Sequence, residues 1–167
     1  MAVDILDTRE VDETKASKIY FLLSPKQWKT FNLDLTKYKW HEFRFEKKTK
    51  GSIPESKGVY TFLIKPNIAE HPSCSYLMYV GRTTDQNLRI RYGQYMDELE
   101  GKRKSRPKIE YMLRKYKEYL FFACIPLDDK LSPESLEEKL LTAYIPPVND
   151  ADALPAEARR IMKAAGL

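Results

Sequence analysis

The chain has 167 residues, of which 43% are apolar and 32% are charged, so its composition is that of one globular domain rather than a disordered protein. The net charge of +5 and the pI of about 9.0 favour polyanionic partners but select none of them. No apolar run approaches the roughly 20 residues needed to cross a bilayer, and Met1 to Glu13 lacks the pattern of a signal peptide, so we expect a cytoplasmic protein without membrane contacts. The two cysteines, Cys74 and Cys124, argue against a disulfide framework or a zinc site.

Residues 1–53 are predicted to form an N-terminal extension that packs on the core. The aliphatic and aromatic run Lys18 to Leu23 predicts a strand, and Ser24-Pro25 gives the N-cap and first-turn signals of a short helix. Apolar and polar residues alternate over Trp40 to Phe45 with one slip of phase, which predicts a second strand. The sequence assigns no function to this extension.

Two strands joined by a loop are predicted for the stretch from Gly58 to Gly81. Its two ends, Gly58 to Ile64 and Tyr76 to Gly81, are dominated by β-branched and aromatic residues, and turn-forming residues separate them. A Gly-x-Tyr sequence with Tyr60 opens the first strand, and a Tyr-x-Gly sequence with Tyr79 ends the second. Glycine allows close backbone approach, whereas tyrosine adds a phenolic donor and acceptor to an apolar ring. On composition alone, the two tyrosines also fit an ordinary sheet core.

A helix is predicted from about Asn87 to Glu100, because apolar residues recur at helical spacing, namely Leu88, Tyr92, Met96 and Leu99. Arg91 and Tyr95 are four residues apart on one flank of that stripe. A guanidinium and a phenol would therefore line the same edge where the helix meets the sheet. The simpler interpretation is a surface arginine beside a half-buried tyrosine.

A basic loop follows this helix, formed by Lys102, Arg103, Lys104, Arg106 and Lys108. Such runs are usually solvated, but clustered bases also supply the salt-dependent part of nucleic-acid binding, so we predict these side chains as phosphate contacts. Pro107 then opens another helix. The continuous apolar run Tyr119 to Ile125 predicts a buried central strand.

A further helix is predicted from Ser132 to about Ile145, and Glu137 falls inside its apolar stripe. Glu134 and Glu138 fall at the margins of the stripe or outside it. A carboxylate on the core side of a helix is costly unless it is paired, protonated or bound to a metal. Two explanations stay open, a salt bridge to an arginine and a metal ligand.

Taken together, these elements resemble the GIY-YIG nuclease family. The resemblance rests on Gly58-Val59-Tyr60, Tyr79-Val80-Gly81, Arg91 with Tyr95, Glu137, and Pro147-Val148-Asn149. It covers residues 54–150 and implies a compact, single-domain member, preceded by the extension 1–53 and followed by a C-terminal helix within 151–167. The implied fold is α+β, similar to an α/β sandwich, with a small mixed three-stranded sheet flanked by helices.

The resemblance implies a set of catalytic residues, namely Tyr60, Tyr79, Arg91, Tyr95, Glu137 and Asn149. Glu137 would hold one Mg²⁺ or Mn²⁺ per active site, and this metal would act as a Lewis acid on the scissile phosphate. Arg91 would neutralise the charge that develops on that phosphate. Arg82 and Arg89 compete for this role and are otherwise predicted to bind nucleic acid.

Tyr60 is assigned as the general base, or as the residue that orients the attacking water. An unperturbed phenol has a pKa near 10, so this role requires help from the metal or from an arginine. Tyr79 and Tyr95 would hold or share its proton, and Asn149 would fix the local geometry by hydrogen bonding.

The function implied is a DNA endonuclease, restriction-like or related to phage and defence systems, with RNA left open as a substrate. One active site cuts one strand, so double-strand cleavage would need a homodimer or two binding events. The alternative is a nucleic-acid-binding module on the same scaffold that no longer cuts. A third interpretation treats the tyrosines as core residues and Glu137 as a salt-bridge partner.

Overall fold

The computed structural model describes residues 16–31, 34, 36, 38–68, 71, 74–128 and 130–167. Its strands are β1 (His41–Arg44), β2 (Gly58–Ile64), β3 (Tyr76–Thr83) and β4 (Leu120–Pro126). Its α-helices are α1 (Pro25–Thr30), α2 (Leu88–Leu99), α3 (Pro107–Lys115), α4 (Pro133–Tyr144) and α5 (Ala156–Ala164). Within these described ranges, each helix is too short or too polar to span a bilayer.

The strands form one sheet in the order β1-β4-β2-β3. The prediction of an α+β fold is confirmed, but the sheet has four strands rather than three and is antiparallel throughout rather than mixed. The fourth strand is β1, which belongs to the predicted extension and pairs with β4 so that His41 lies opposite Cys124. An apolar central strand needs a hydrogen-bonding partner on each side, and β1 supplies the second one for β4.

The predicted strand over Lys18 to Leu23 is wrong, since in this described segment only Ile19 forms an isolated bridge. The adjoining helix prediction is confirmed by α1, which begins at Pro25 immediately after Ser24. The indole Nε1 of Trp28 donates a 2.8 Å hydrogen bond to the carbonyl of Ala143. The extension therefore contacts the C-terminal end of α4 as well as the sheet.

Helices cover both faces of the sheet, because side chains alternate between the faces along each strand. On one face Tyr60 and Phe62 belong to a buried cluster that includes residues of α2 and α3, among them Tyr92, Tyr95, Met96, Ile109 and Met112. On the other face Val59 and Val80 belong to a cluster that includes residues of α4 and α5, among them Leu136, Leu140, Leu141 and Met162. The candidate site is built where both clusters meet the edge strand β3.

Candidate active site

Arg91 and two tyrosines form a closed hydrogen-bonded triangle on the face covered by α2. The phenolic oxygens of Tyr60 and Tyr95 are 2.9 Å apart, and the Nε and Nη2 atoms of Arg91 donate to them at 3.1 and 3.0 Å. The guanidinium also lies over the Tyr95 ring, 4.4 Å from its centroid. The two side chains predicted from their four-residue spacing therefore do meet, and Tyr60 of the neighbouring strand joins them.

The remaining amino group of Arg91 is held by Gln94, a residue that the sequence interpretation missed. Its side-chain oxygen accepts from Arg91 Nη1 at 2.8 Å. The amide of Gln94 in turn exchanges hydrogen bonds of 2.6 and 3.2 Å with the amide of Gln86, in the turn before α2. Spacing alone could have suggested Gln94, because residues three apart on a helix are neighbours.

Burial keeps the phenols of the triangle protonated. Tyr60 is only 1% exposed and Tyr95 is fully buried. This burial raises the pKa of both phenols above the ordinary value, and the charge of Arg91 opposes that rise only in part. In the free protein the two tyrosines are thus neutral groups that fix the orientation of Arg91.

Tyr79 lies beside this triangle and is contacted by a second arginine. Its ring centroid is 6.2 Å from that of Tyr60 and 6.5 Å from that of Tyr95. Arg106 Nη2 donates to the Tyr79 oxygen at 2.9 Å, while Arg106 Nη1 pairs with Asp150 Oδ2 at 3.1 Å. Arg106 was predicted only as a phosphate contact of the basic loop, and neither its bond to Tyr79 nor the role of Asp150 could be seen in the sequence.

Gly81 makes room for the two strand tyrosines. Tyr60 lies opposite Gly81 in the β2-β3 register, and Phe62 lies opposite Tyr79. A Cβ atom on Gly81 would lie 2.5 Å from the hydroxyl oxygen of Tyr60 and 2.9 Å from Cε1 of Tyr79. The glycine that ends the Tyr-x-Gly sequence is therefore required by close approach of side chains.

Glu137 lies on the opposite face of the sheet, where α4 packs against β3. Its carboxylate accepts a hydrogen bond from Arg82, which follows Gly81 and also approaches Glu134 with 3.8 Å between Nε and Oε1. The Glu137 side chain is 13% exposed, and burial raises its pKa above the ordinary value, with Arg82 opposing the rise and Glu134 adding to it. Of the two explanations left open, the salt bridge to an arginine is the one present in the structure.

Asn149 holds the edge strand β3 by hydrogen bonds between the tyrosine cluster and Glu137. Its amide donates to the carbonyl of Val80 at 2.8 Å and accepts from the Val80 N–H at 3.0 Å, as a further strand would. The N–H of Val148 donates to the carbonyl of Met78 at 3.0 Å. The tyrosine cluster and Glu137 thus lie on either side of the same three residues of β3, Val80 to Arg82, which Asn149 holds in place.

The other predicted phosphate contacts are spread around this edge. Arg89 points away from the triangle, since its Nε donates to the carbonyl of Ile53 at 2.8 Å and its Nη1 pairs with Glu55. The basic loop begins where α2 ends in a Schellman motif, with Gly101 at φ +74°. Of its predicted contacts, Lys102 pairs with Glu100, Arg103 and Lys104 are exposed, Lys108 is half-buried, and Arg106 reaches the cluster.

The oxygen ligands available to a metal at this site are few. Among the described residues, no group of three or more acidic, histidine or cysteine side chains could hold an ion. Glu137 and Glu134 are three residues apart on α4 and share Arg82 as a neighbour. One mostly buried carboxylate with an exposed second one nearby suits Mg²⁺, which prefers oxygen ligands and keeps several waters.

The chain matches no protein-family model, no curated protein and no solved structure.

Proposed function

We propose that this chain is a metal-dependent endonuclease of the GIY-YIG type, which hydrolyses phosphodiester bonds in DNA. The observation that carries the proposal is the cluster of two guanidinium groups and neutral phenols at one strand edge. Arg91 donates to the oxygens of Tyr60 and Tyr95, and Arg106 donates to that of Tyr79, whose own O–H group is left to donate to an acceptor. A site composed of donors and permanent positive charge is suited to an anion with several acceptor oxygens, such as a phosphodiester.

The roles of the side chains follow from their exposure and contacts. Arg91, held by Tyr60, Tyr95 and Gln94, would neutralise charge on the scissile phosphate without having to reorganise. We assign the orientation of the attacking water to Tyr79 rather than to Tyr60, because the Tyr60 oxygen already has two hydrogen-bond partners among the described residues, Tyr95 and Arg91, whereas the Tyr79 oxygen has one, Arg106. Tyr60 and Tyr95 would then act by positioning Arg91.

Glu137 is the residue that would hold the cation, with Glu134 close enough to add a second carboxylate. When bound there, Mg²⁺ or Mn²⁺ supplies Lewis-acid stabilisation of the charge on the phosphate oxygens. Arg82 has to release Glu137 before this carboxylate can bind a cation, and the cation then replaces the guanidinium as the positive partner of this mostly buried carboxylate. Arg82, which is 42% exposed, would then be available to the nucleic acid.

The proposal is tested by incubating supercoiled plasmid with the protein in Mg²⁺ or in chelator. Nicked or linear DNA should form only with the metal, and Glu137→Gln should lower the rate by about two orders of magnitude or more. Glu138→Gln is the matched control, since it removes an exposed carboxylate from the next position of the same helix. Equal rates for the two variants would contradict the assignment of Glu137.

Metal binding has a readout that does not depend on cleavage. At Mg²⁺ about tenfold above its Kd, the native wild-type protein should gain about 1.4 kcal/mol in free energy of unfolding. For a chain of this length this raises Tm by about 3 to 6 °C. Glu137→Gln should lose this increase, whereas Glu138→Gln should keep it.

The competing function is a nucleic-acid-binding module that does not cut. The pairing of Glu137 with Arg82 favours it, because this ion pair withholds the carboxylate that metal-dependent hydrolysis needs. Such a module would retain DNA in chelator and form no product in Mg²⁺, Mn²⁺ or other divalent cations, with DNA or RNA. Within the endonuclease proposal, a restriction-like or phage and defence role and a homodimer for double-strand cleavage remain the finer expectations.

A further inference from the structure

Arg106 differs from the other bases of its loop because one end of its guanidinium enters the tyrosine cluster. Its Nη2 donates to Tyr79 at 2.9 Å, and its central carbon lies 5.6 Å from the Tyr79 ring centroid. The other end pairs with Asp150, and 45% of the Arg106 side chain is exposed. The guanidinium of Arg106 is thus held by Tyr79 at its Nη2 end, whereas its Nη1 end lies in a solvent-exposed ion pair.

We infer that Arg106 forms a second phosphate subsite, which binds the phosphate next to the one bound by Arg91. This inference rests on the proposed function and names its substrate class as a strand with at least two successive phosphodiesters. The two guanidiniums lie over neighbouring rings, Arg91 over Tyr95 and Arg106 over Tyr79, and those ring centroids are 6.5 Å apart. The cluster therefore presents two separate cationic groups along one edge.

In the free protein the carboxylate of Asp150 pairs with the guanidinium of Arg106, and a phosphate can take the place of this carboxylate. The pair has one contact, of 3.1 Å, and each side chain is 45% exposed. Exposed ion pairs contribute little because water screens them, so exchange of the carboxylate costs little. A phosphate can accept from the guanidinium through two oxygens at once, which is the geometry that arginine fits best.

The protein holds this subsite in place from both sides. Arg106 is the N-cap residue of α3, and the preceding Ser105 donates to the buried Glu98 at 2.6 Å. Asp150 directly follows Asn149, which is fastened to the backbone of Val80. Because both partners have fixed neighbours, a phosphate meets Arg106 without ordering the whole loop.

The inference is tested by comparing two thymidine oligonucleotides without terminal phosphates, one with a single phosphodiester and one with two. Their affinities are measured by NMR titration of the full chain in chelator, so the result does not depend on cleavage. The wild-type protein should bind the trinucleotide about fivefold more tightly than the dinucleotide, because an exposed charge pair contributes up to about that factor. Arg106→Ala should reduce this preference to the statistical advantage of two phosphates.

Three further variants complete the design. Arg114→Ala is the matched control, because Arg114 lies on the same helix and is an exposed arginine with one carboxylate partner, Glu110, at 2.9 Å. It should keep the wild-type preference. Arg106→Lys should keep part of it, since a lysine offers charge without a planar fork. Asp150→Asn should raise affinity for the trinucleotide only.

Each other outcome overturns the inference in a recognisable way. If Arg106→Ala and Arg114→Ala keep the same preference, Arg106 binds no phosphate. If Arg106→Ala weakens both oligonucleotides equally, it acts through Tyr79 and not at a second subsite. If the wild-type protein cuts plasmid but does not prefer the trinucleotide, the second subsite is refuted and the proposed function stands. If the wild-type protein neither binds the oligonucleotides nor cuts plasmid, the proposed function is refuted as well.

Discussion

Replacement of Gly81 by alanine tests the construction of the tyrosine cluster most directly. The added Cβ would lie 2.5 Å from the hydroxyl oxygen and 2.6 Å from Cζ of Tyr60, whereas ordinary contacts begin at 3.4 Å. The ring would have to move by about 0.9 Å, the difference between 2.5 and 3.4 Å, to restore an ordinary contact with the oxygen. It is buried and stacked on Phe122, with ring centroids 5.2 Å apart, so the movement disturbs the core.

The expected cost combines overpacking with lost hydrogen bonds. Overpacking a core costs about 1 to 3 kcal/mol, and leaving the Tyr60 hydroxyl poorly paired with Arg91 adds about 1 to 3 kcal/mol. We therefore expect Gly81→Ala to lower the free energy of unfolding by about 2 to 6 kcal/mol, a large share of the roughly 5 to 15 kcal/mol typical of a domain. Urea unfolding followed by circular dichroism measures this value.

Two comparisons make the experiment specific. Gly51→Ala is the control, because a Cβ on Gly51 would have no atom within 4 Å, and its effect should stay within about 0.5 kcal/mol. In a Tyr60→Leu background the hydroxyl and Cζ are gone, so Gly81→Ala should cost much less there. An equal effect of Gly81→Ala and Gly51→Ala, or an unchanged cost in the Tyr60→Leu background, would refute the reasoning.

Three further predictions concern stability and reactivity. Burial raises the pKa of Glu137, so the contribution of this residue to the free energy of unfolding is fully present below the pKa of the unfolded chain and is lost as the pH rises through the native pKa. Glutamine does not titrate, so the free energy of unfolding of Glu137→Gln, measured in urea titrations, should rise relative to that of the wild type from pH 4 to pH 7. Absence of that rise at pH 7 would contradict the sign. Asn149→Leu should destabilise the protein by about 1 to 3 kcal/mol because both polar groups of Val80 lose their partner, and Asn149→Asp, which still accepts from the N–H, should cost less. Burial raises the pKa of Cys124 to about 12, so Ellman's reagent at pH 8 should modify Cys74 in the native protein and Cys124 only after unfolding. A fast reaction of both thiols in the native protein would contradict the packing around Cys124.

Local patterns predicted most of the elements and one contact of the site. The strands β2 and β3, the helix α2 and the start of α4 follow from alternation, helical spacing and the Ser132-Pro133 signal, each of which acts within a few residues. The contact between Arg91 and Tyr95 was predictable for the same reason, since a four-residue spacing places two side chains on one helix face. The unusual place of Glu137 on its helix was also visible as a buried acid within an apolar stripe.

Long-range pairing decided the rest. Whether His41–Arg44 forms part of the sheet depends on an open edge of β4, more than seventy residues later, and the sequence marks no such pairing. The meeting of Arg106 with Tyr79 depends on how the basic loop folds back over β3, and the partner of Glu137 depends on which face of β3 carries Arg82. Periodicity fixes which side of an element a residue occupies, whereas only the register of the sheet and the packing of helices on it determine which residue it meets.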